Sequence, residues 1–220
     1  MKTKKLKFVA HHSKDKVSAL LHRPENANAL LVLGHGAGAG MTHSNMENIA
    51  SALSKNQIAT FRYQFPFMER GGGRDSKEVS LAPVRNAVAQ AQQLADDLPI
   101  YAGGHSFGGR MTTMAAAELG LPEANGLILF AFPLHPSGKP SVDRADHLFQ
   151  LKLPLLFLSG TRDKLFTPKL FSPILKKLGR KAKLHNLETA DHGYKILKRT
   201  RTSEEDVFDE MARVARNWID

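Results

Sequence analysis

Residues 101–111 read YAGGHSFGGRM. An apolar strand end runs into glycines on both sides of Ser106, and a helical segment follows. Gly104-x-Ser106-x-Gly108 has the form of a strand–turn–helix elbow, in which a serine is held in a strained turn and the flanking positions must be small. Glycine and serine are common, so the form alone is equally that of a plain glycine-rich turn. The other strand ends have to decide between the two.

Outward from that turn, strands and helices alternate. Residues 5–10 and 16–22 are short alternating segments around a polar Ser13–Asp15 turn, which predicts an antiparallel hairpin. ALLVLGHGAG (29–38) is an unbroken apolar run ending in glycines, the pattern of a strand buried on both faces. Met46, Ile49, Ala50 and Leu53 fall at helical spacing within 44–56, and a strand over 58–66 is closed by Pro66. A helix is expected over 83–95 with Pro83 at its start, where a missing N–H costs nothing. The helix after Ser106 stops at Gly120. Strands over 126–133, 153–163 and 183–188 enclose a helix over 167–178. The last helix opens at Ser203 with three acidic residues behind it, and carries Val207, Met211, Val214 and Trp218 on one face. Such alternation predicts an α/β fold with a mostly parallel sheet and helices on both faces. Ligands bind such sheets beyond the carboxyl ends of the strands.

Composition sets outer limits. The 220 residues are 42% hydrophobic and 24% charged, an ordinary globular balance. No apolar run approaches the length needed to span a bilayer, and the basic start MKTKKLKFVAHH lacks the apolar core of a signal peptide, so a cytoplasmic location and no membrane partner are expected. There is no cysteine, which removes disulfides, thiolate metal sites and a cysteine nucleophile together. The net charge of +10 is gathered in three clusters, at 2–7, 176–183 and 195–201. No nucleic-acid recognition signature accompanies them, so they read as solvated surface and no nucleic-acid partner is expected. His11 and His12 occupy adjacent strand positions facing opposite ways, a poor start for a metal site, and no metal or other cofactor is expected.

The strand ends carry the chemistry. After 29–33 comes Gly34-His35-Gly36-Ala37-Gly38, after 99–103 comes Gly104-His105-Ser106-Phe107-Gly108, after 153–159 comes Gly160-Thr161-Arg162-Asp163, and after 183–188 comes Ala190-Asp191-His192-Gly193. A serine, an aspartate and a histidine therefore follow in that order on one rim of the sheet. A serine hydroxyl becomes a nucleophile when an imidazole takes its proton, and the imidazole needs a buried acceptor to fix its tautomer. Backbone N–H groups must meet the oxyanion, here those of Phe107 and Ala37, with His35, Gly36 and Gly38 completing the loop. Asp163 is favoured as the acid over Asp191, because neighbours in an extended loop point apart and Asp191 adjoins His192. His192 is favoured as the base over His185, which lies inside its strand.

These motifs resemble the α/β-hydrolase superfamily over nearly the whole chain. The resemblance rests on HGAGAGM (35–41), FRYQFPF (61–67), GHSFGGRM (104–111), FPLHPSGKP (132–140) with RADHL (144–148), SGTRD (159–163) and ADHGY (190–194). It is nearest to the group that includes testis-expressed protein 30 and the hydrolase-like domain of KAT8 regulatory NSL complex subunit 3, with dienelactone-hydrolase-like enzymes more distant. It implies an eight-stranded sheet in a single domain over residues 1–220, a triad of Ser106, His192 and Asp163, and a minimal cap.

Two loops stand where they would meet a substrate. His135, Lys139 and Arg144 either contact its acidic end or belong to a proline-stiffened loop whose polar groups face water. Phe65, Pro66 and Phe67 either line an acyl pocket or pack beneath their loop. The expected function is a serine hydrolase acting on a small carboxylic ester or thioester through an acyl-enzyme. The contrasting reading is a non-catalytic scaffold that binds an acidic partner through its basic surface. Oligomeric state is not legible in the residues.

Overall fold

The computed structural model describes residues 2–11 and 15–220. His12 and most of the expected Ser13–Asp15 turn lie outside the described residues. The chain runs β1 (Lys2–Val9), β2 (Lys16–Arg23), β3 (Ala29–Gly34), α1 (Ser44–Lys55), β4 (Ile58–Tyr63), α2 (Pro66–Arg70), α3 (Lys77–Leu94), β5 (Ile100–His105) and α4 (Phe107–Glu118). It continues with β6 (Ala124–Phe130), a 3-10 segment Asp143–Gln150, β7 (Leu155–Gly160), α5 (Pro168–Leu178), β8 (Ala182–Leu187) and α6 (Val207–Ile219).

These strands form one eight-stranded sheet in the order β1-β2-β4-β3-β5-β6-β7-β8. The β1–β2 and β2–β4 pairs are antiparallel and every other pair is parallel. The central strands feed two cores by simple alternation. Leu30 and Val32 of β3, Leu127 and Leu129 of β6, and Leu155 and Phe157 of β7 enter the core under α3, α4 and α5. Leu31, Leu33, Ile128, Phe130, Leu156 and Leu158 enter the opposite core with Met46, Ile49 and Leu53 of α1 and Met211 and Ala215 of α6. Each central strand is thus apolar at consecutive positions because both its faces are covered.

Three boundaries differ from the sequence expectation. β4 ends at Tyr63, and Pro66 opens α2 rather than closing the strand. α3 starts at Lys77, a turn and a half before Pro83: Ser76 caps it, its hydroxyl accepting from the Val79 N–H at 3.5 Å, and Pro83 sits inside. The lost bond to the Val79 carbonyl is outweighed by the apolar stripe Leu81, Val84, Ala87, Val88 and Ala91, which is buried from end to end. In α6 the cap is Asp206, whose carboxylate accepts from the N–H groups of Phe208 and Asp209, and not Ser203. Between β6 and β7 the only regular element among the described residues is Asp143–Gln150, so no helical cap domain covers the sheet's carboxyl edge.

Candidate active site

β5 ends at His105 and α4 begins at Phe107, which leaves Ser106 alone at the junction with φ 52° and ψ −112°. That conformation is unfavourable for any residue with a Cβ, and it is held from both sides. The Ser106 N–H donates to Phe130 O on β6 at 2.8 Å, and Ser106 O accepts from the Arg110 N–H at 3.0 Å. Space comes from the glycines. A Cβ on Gly104 would lie 2.6 Å from both the Gly34 carbonyl oxygen and the Gly108 carbonyl carbon, and one on Gly108 would overlap the Gly34 carbonyl. The first turn of α4 therefore rests directly on the end of β3. Gly103 has no role legible in the sequence; in the fold, a Cβ there would overlap the Ile128 carbonyl of the adjacent β6.

The other two residues come from loops that are stitched together. The Thr161 N–H donates to Leu187 O at 3.1 Å, the Arg162 N–H to Ala190 O at 2.9 Å, and a Cβ on Gly160 would overlap the Ala190 carbonyl. This brings His192 Nδ1 to 2.8 Å from Asp163 Oδ2 and His192 Nε2 to 2.8 Å from Ser106 Oγ. The Asp163 side chain is wholly buried, and its second oxygen accepts from the Leu165 N–H at 2.8 Å. A carboxylate can only accept, so Nδ1 carries the proton and Nε2 is the acceptor facing the serine hydroxyl. Asp191 turns away from this line, accepting from the N–H groups of Gly193 at 2.9 Å and Lys195 at 3.0 Å. His185 is committed elsewhere, to Glu210 at 2.7 Å.

Two further histidines brace the rim. His35 is fully buried; its Nδ1–H donates to Gly36 O at 2.7 Å and its Nε2 accepts from the Phe65 N–H at 3.0 Å. Burial pushes its pKa down to about 4, so it stays neutral and ties the glycine loop after β3 to the start of α2. His105 Nε2–H donates to the carbonyl of His192 at 3.2 Å, with the two rings 5.5 Å apart. Burial first, and the neighbouring His192 second, lower its pKa to about 4. The sequence alone reads both as parts of the elbow and the loop; their bracing depends on partners far along the chain.

The Phe107 N–H is the first of a helix and has no intrahelical acceptor. Among the described residues neither it nor the Ala37 N–H donates to another protein group. The Phe107 ring packs edge-on against Phe65 at 5.1 Å and Phe67 at 5.7 Å, and those two phenylalanines are buried beneath their loop rather than presented to a ligand. His135 is likewise turned inward. It is 2% exposed, its Nδ1–H donates to Pro136 O at 3.0 Å, and its Nε2 accepts from the Thr167 hydroxyl at 2.9 Å. Lys139 is exposed and Arg144 half-exposed on the same loop, where they border a cavity of about 400 Å³. A second cavity, of about 470 Å³, adjoins His192 and is lined by Arg162, Lys164 and Lys195. Among the described residues no three His, Asp or Glu side chains converge closely enough to hold a metal ion, and no helix is long and apolar enough to cross a membrane.

An open, mostly parallel eight-stranded sheet with a strained serine at its central strand-to-helix turn defines a class. The α/β-hydrolase domain model matches residues 27–220, and the chain belongs to that family. Among solved structures, it is similar to dienelactone hydrolase from Anabaena variabilis, with 17% identity and a TM-score of 0.74 over 99% of this chain and 97% of that one. An α/β serine hydrolase without a lid from Xanthomonas campestris is 19% identical with a TM-score of 0.73, over 98% and 94% of the two chains. The esterase domain of a Rhodothermus marinus protein is 17% identical with a TM-score of 0.73, over 99% and 98%. At these identities the likeness is one of fold.

Proposed function

We propose that the protein is a serine hydrolase that cleaves a small carboxylic ester or thioester through an acyl-enzyme. The observation that carries this reading is the continuous chain from Ser106 Oγ through His192 to the buried Asp163, with both links at 2.8 Å. Ser106 Oγ attacks the carbonyl carbon while its proton passes to His192 Nε2, and Asp163 stabilises the imidazolium that results. The N–H groups of Phe107 and Ala37 receive the oxyanion. Collapse of the tetrahedral intermediate breaks the bond to the alcohol or thiol, which leaves with the proton from His192. Water then attacks the acyl-enzyme, giving its proton to His192 and releasing the acyl group as the free acid, and Ser106 is restored.

The strained backbone at Ser106 supports the same reading, since such conformations persist where the surroundings over-determine them for a task. A non-catalytic scaffold would have no use for the two aligned bonds on His192. We also place the chain in the testis-expressed protein 30 group, on its FPLHPSGKP segment at 132–140. The test is a panel of short- and long-chain acyl esters and thioesters offered to the wild type and Ser106→Ala. Turnover confined to the wild type is expected, and the acyl length preferred defines the substrate. Equal rates for the two proteins would refute the mechanism.

A further inference from the structure

His192 shares a cavity with three cations. Its ring meets Asp163 at Nδ1 and Ser106 at Nε2, each at 2.8 Å, and the His105 ring lies 5.5 Å away. The side chain is nevertheless 28% exposed, and it lines a cavity of about 470 Å³ whose other walls are Arg162, Lys164, Asp191, Gly193 and Lys195. That volume is in the range of a small-ligand site.

The main chain fixes these residues around one opening. Arg162 and Lys164 flank Asp163 in the turn after β7, where the Arg162 N–H donates to Ala190 O at 2.9 Å and the Leu165 N–H to Asp163 Oδ1 at 2.8 Å. Lys195 closes the facing loop: its N–H donates to Asp191 Oδ1 at 3.0 Å and its carbonyl accepts from the Asp191 N–H at 3.0 Å. The Thr189 N–H, donating to the Thr161 hydroxyl at 2.9 Å, joins the two loops again. All three cationic side chains reach solvent.

Among the described residues none of Arg162, Lys164 and Lys195 forms an ion pair. Asp191 is the one carboxylate lining the cavity, and its Oδ1 already accepts from the N–H groups of Gly193 and Lys195. Arg162 Nη1–H donates to Thr189 O at 3.1 Å, which holds the guanidinium and leaves Nε and Nη2 uncommitted. Those two groups are parallel donors on one edge of a planar fork, the geometry that meets a phosphate. A cleft lined mainly by one sign of charge also concentrates anions. In the sequence Lys195 belongs to a basic run that reads as solvated surface; the fold brings it to the histidine that faces Ser106.

Resting on the hydrolase reading, we propose that Arg162, Lys164 and Lys195 form a subsite for a phosphate carried by the leaving group, so that the enzyme cleaves carboxylic esters or thioesters of a short phosphorylated alcohol or thiol. The leaving side is indicated because His192 Nε2 hands its proton to the departing oxygen or sulfur, which must therefore sit beside the imidazole and the cavity it lines. The acyl C–O or C–S bond breaks, the alcohol or thiol departs with the His192 proton, and its phosphate ester stays intact. A phosphate brings a charge of about −1.5 to −2 near pH 7 and three acceptor oxygens, which suits three cations better than the single charge of a carboxylate.

The test compares kcat/KM for 1-butyrylglycerol 3-phosphate with that for 1-butyrylglycerol, which presents the same acyl group and the same primary alcohol without the phosphate. In the wild type the phosphorylated ester is favoured by about tenfold or more at low salt, corresponding to one well-formed charge-assisted bond. The ratio falls several-fold in the double variant Arg162→Gln/Lys195→Gln, and shrinks between about 20 mM and about 500 mM NaCl as the charges are screened. It holds in Lys152→Gln, an equal loss of charge ahead of β7 at the opposite edge of the sheet. The neutral ester is the internal reference, so a variant that only loses active protein leaves the ratio untouched. A ratio near one in the wild type, one that the double variant does not lower, or one that Lys152→Gln lowers as much overturns the subsite. If neither ester is turned over, the hydrolase reading fails by itself and the subsite is read from glycerol 3-phosphate against glycerol. A rise in melting temperature with glycerol 3-phosphate alone that is lost in the double variant supports it, and no rise, or an equal rise in both proteins, overturns it.

Discussion

His105 lies under His192 and donates its Nε2–H to that residue's backbone carbonyl at 3.2 Å. The histidine that faces Ser106 is therefore fixed twice, by Asp163 at its ring and by His105 at its main chain. Removing the donor should leave a part-buried carbonyl unmet, a cost of about 1–3 kcal/mol. We expect His105→Phe to lower kcat about tenfold with little change in KM, because the loop bearing His192 loosens while the substrate surface stays. His105→Gln, whose amide can still donate, should recover much of the loss. Steady-state kinetics on the three proteins decide it; an unchanged kcat in His105→Phe would show that the bond plays no part.

Asp163→Asn tests the tautomer. The buried amide would present N–H to Nδ1, turning Nε2 into a donor that cannot accept the Ser106 proton. Activity should fall by roughly three to four orders of magnitude. The fold should persist, since the amide has the shape of the carboxylate it replaces and keeps an oxygen to accept from the Leu165 N–H. Circular dichroism alongside kcat checks both halves.

Gly108→Ala and Gly38→Ala separate room from mere presence of glycine. A methyl at 108 meets the Gly34 backbone, which cannot move without disturbing β3, whereas a methyl at 38 meets nothing within 4 Å. Urea denaturation should show Gly108→Ala destabilised by about 1–3 kcal/mol, in the range of overpacking, and Gly38→Ala within about 0.5 kcal/mol of wild type.

Much of this organisation is legible in the residues, and for a physical reason. Strand alternation, the order of Ser106, Asp163 and His192, and the divergence of Asp191 from His192 all follow from local pattern and side-chain direction. What escapes are properties that arise only when distant segments meet. Pro83 is tolerated inside α3 because the stripe around it is buried, which no local rule reports. His135 reads either as a contact for the substrate's acidic end or as a polar group facing water, yet Thr167 closes over it from the start of α5.

Acid should weaken the fold in a defined window. The pKa of His35 is lowered from its ordinary value of 6.5 to about 4 by burial, so between those values the unfolded chain binds the proton that the folded one refuses. Its contribution is fully present above pH 6.5 and is lost as the pH falls toward 4, on the order of 3 kcal/mol in all for this fully buried ring. His105 and His147, both lowered to about 4 with burial as the first cause, act in the same direction. Denaturant titrations from neutral to acid pH should show stability falling through that window with net proton uptake on unfolding. A flat profile would contradict neutral burial of these rings.

The central claim is that Ser106 is a nucleophile activated by His192 and Asp163. The most direct measurement is the intact mass of the folded protein after exposure to a fluorophosphonate. The account predicts one adduct per chain, located on Ser106 by peptide mapping, absent from Ser106→Ala and formed far more slowly in His192→Ala. A folded wild type that gains no adduct, or gains one at another residue, would contradict it.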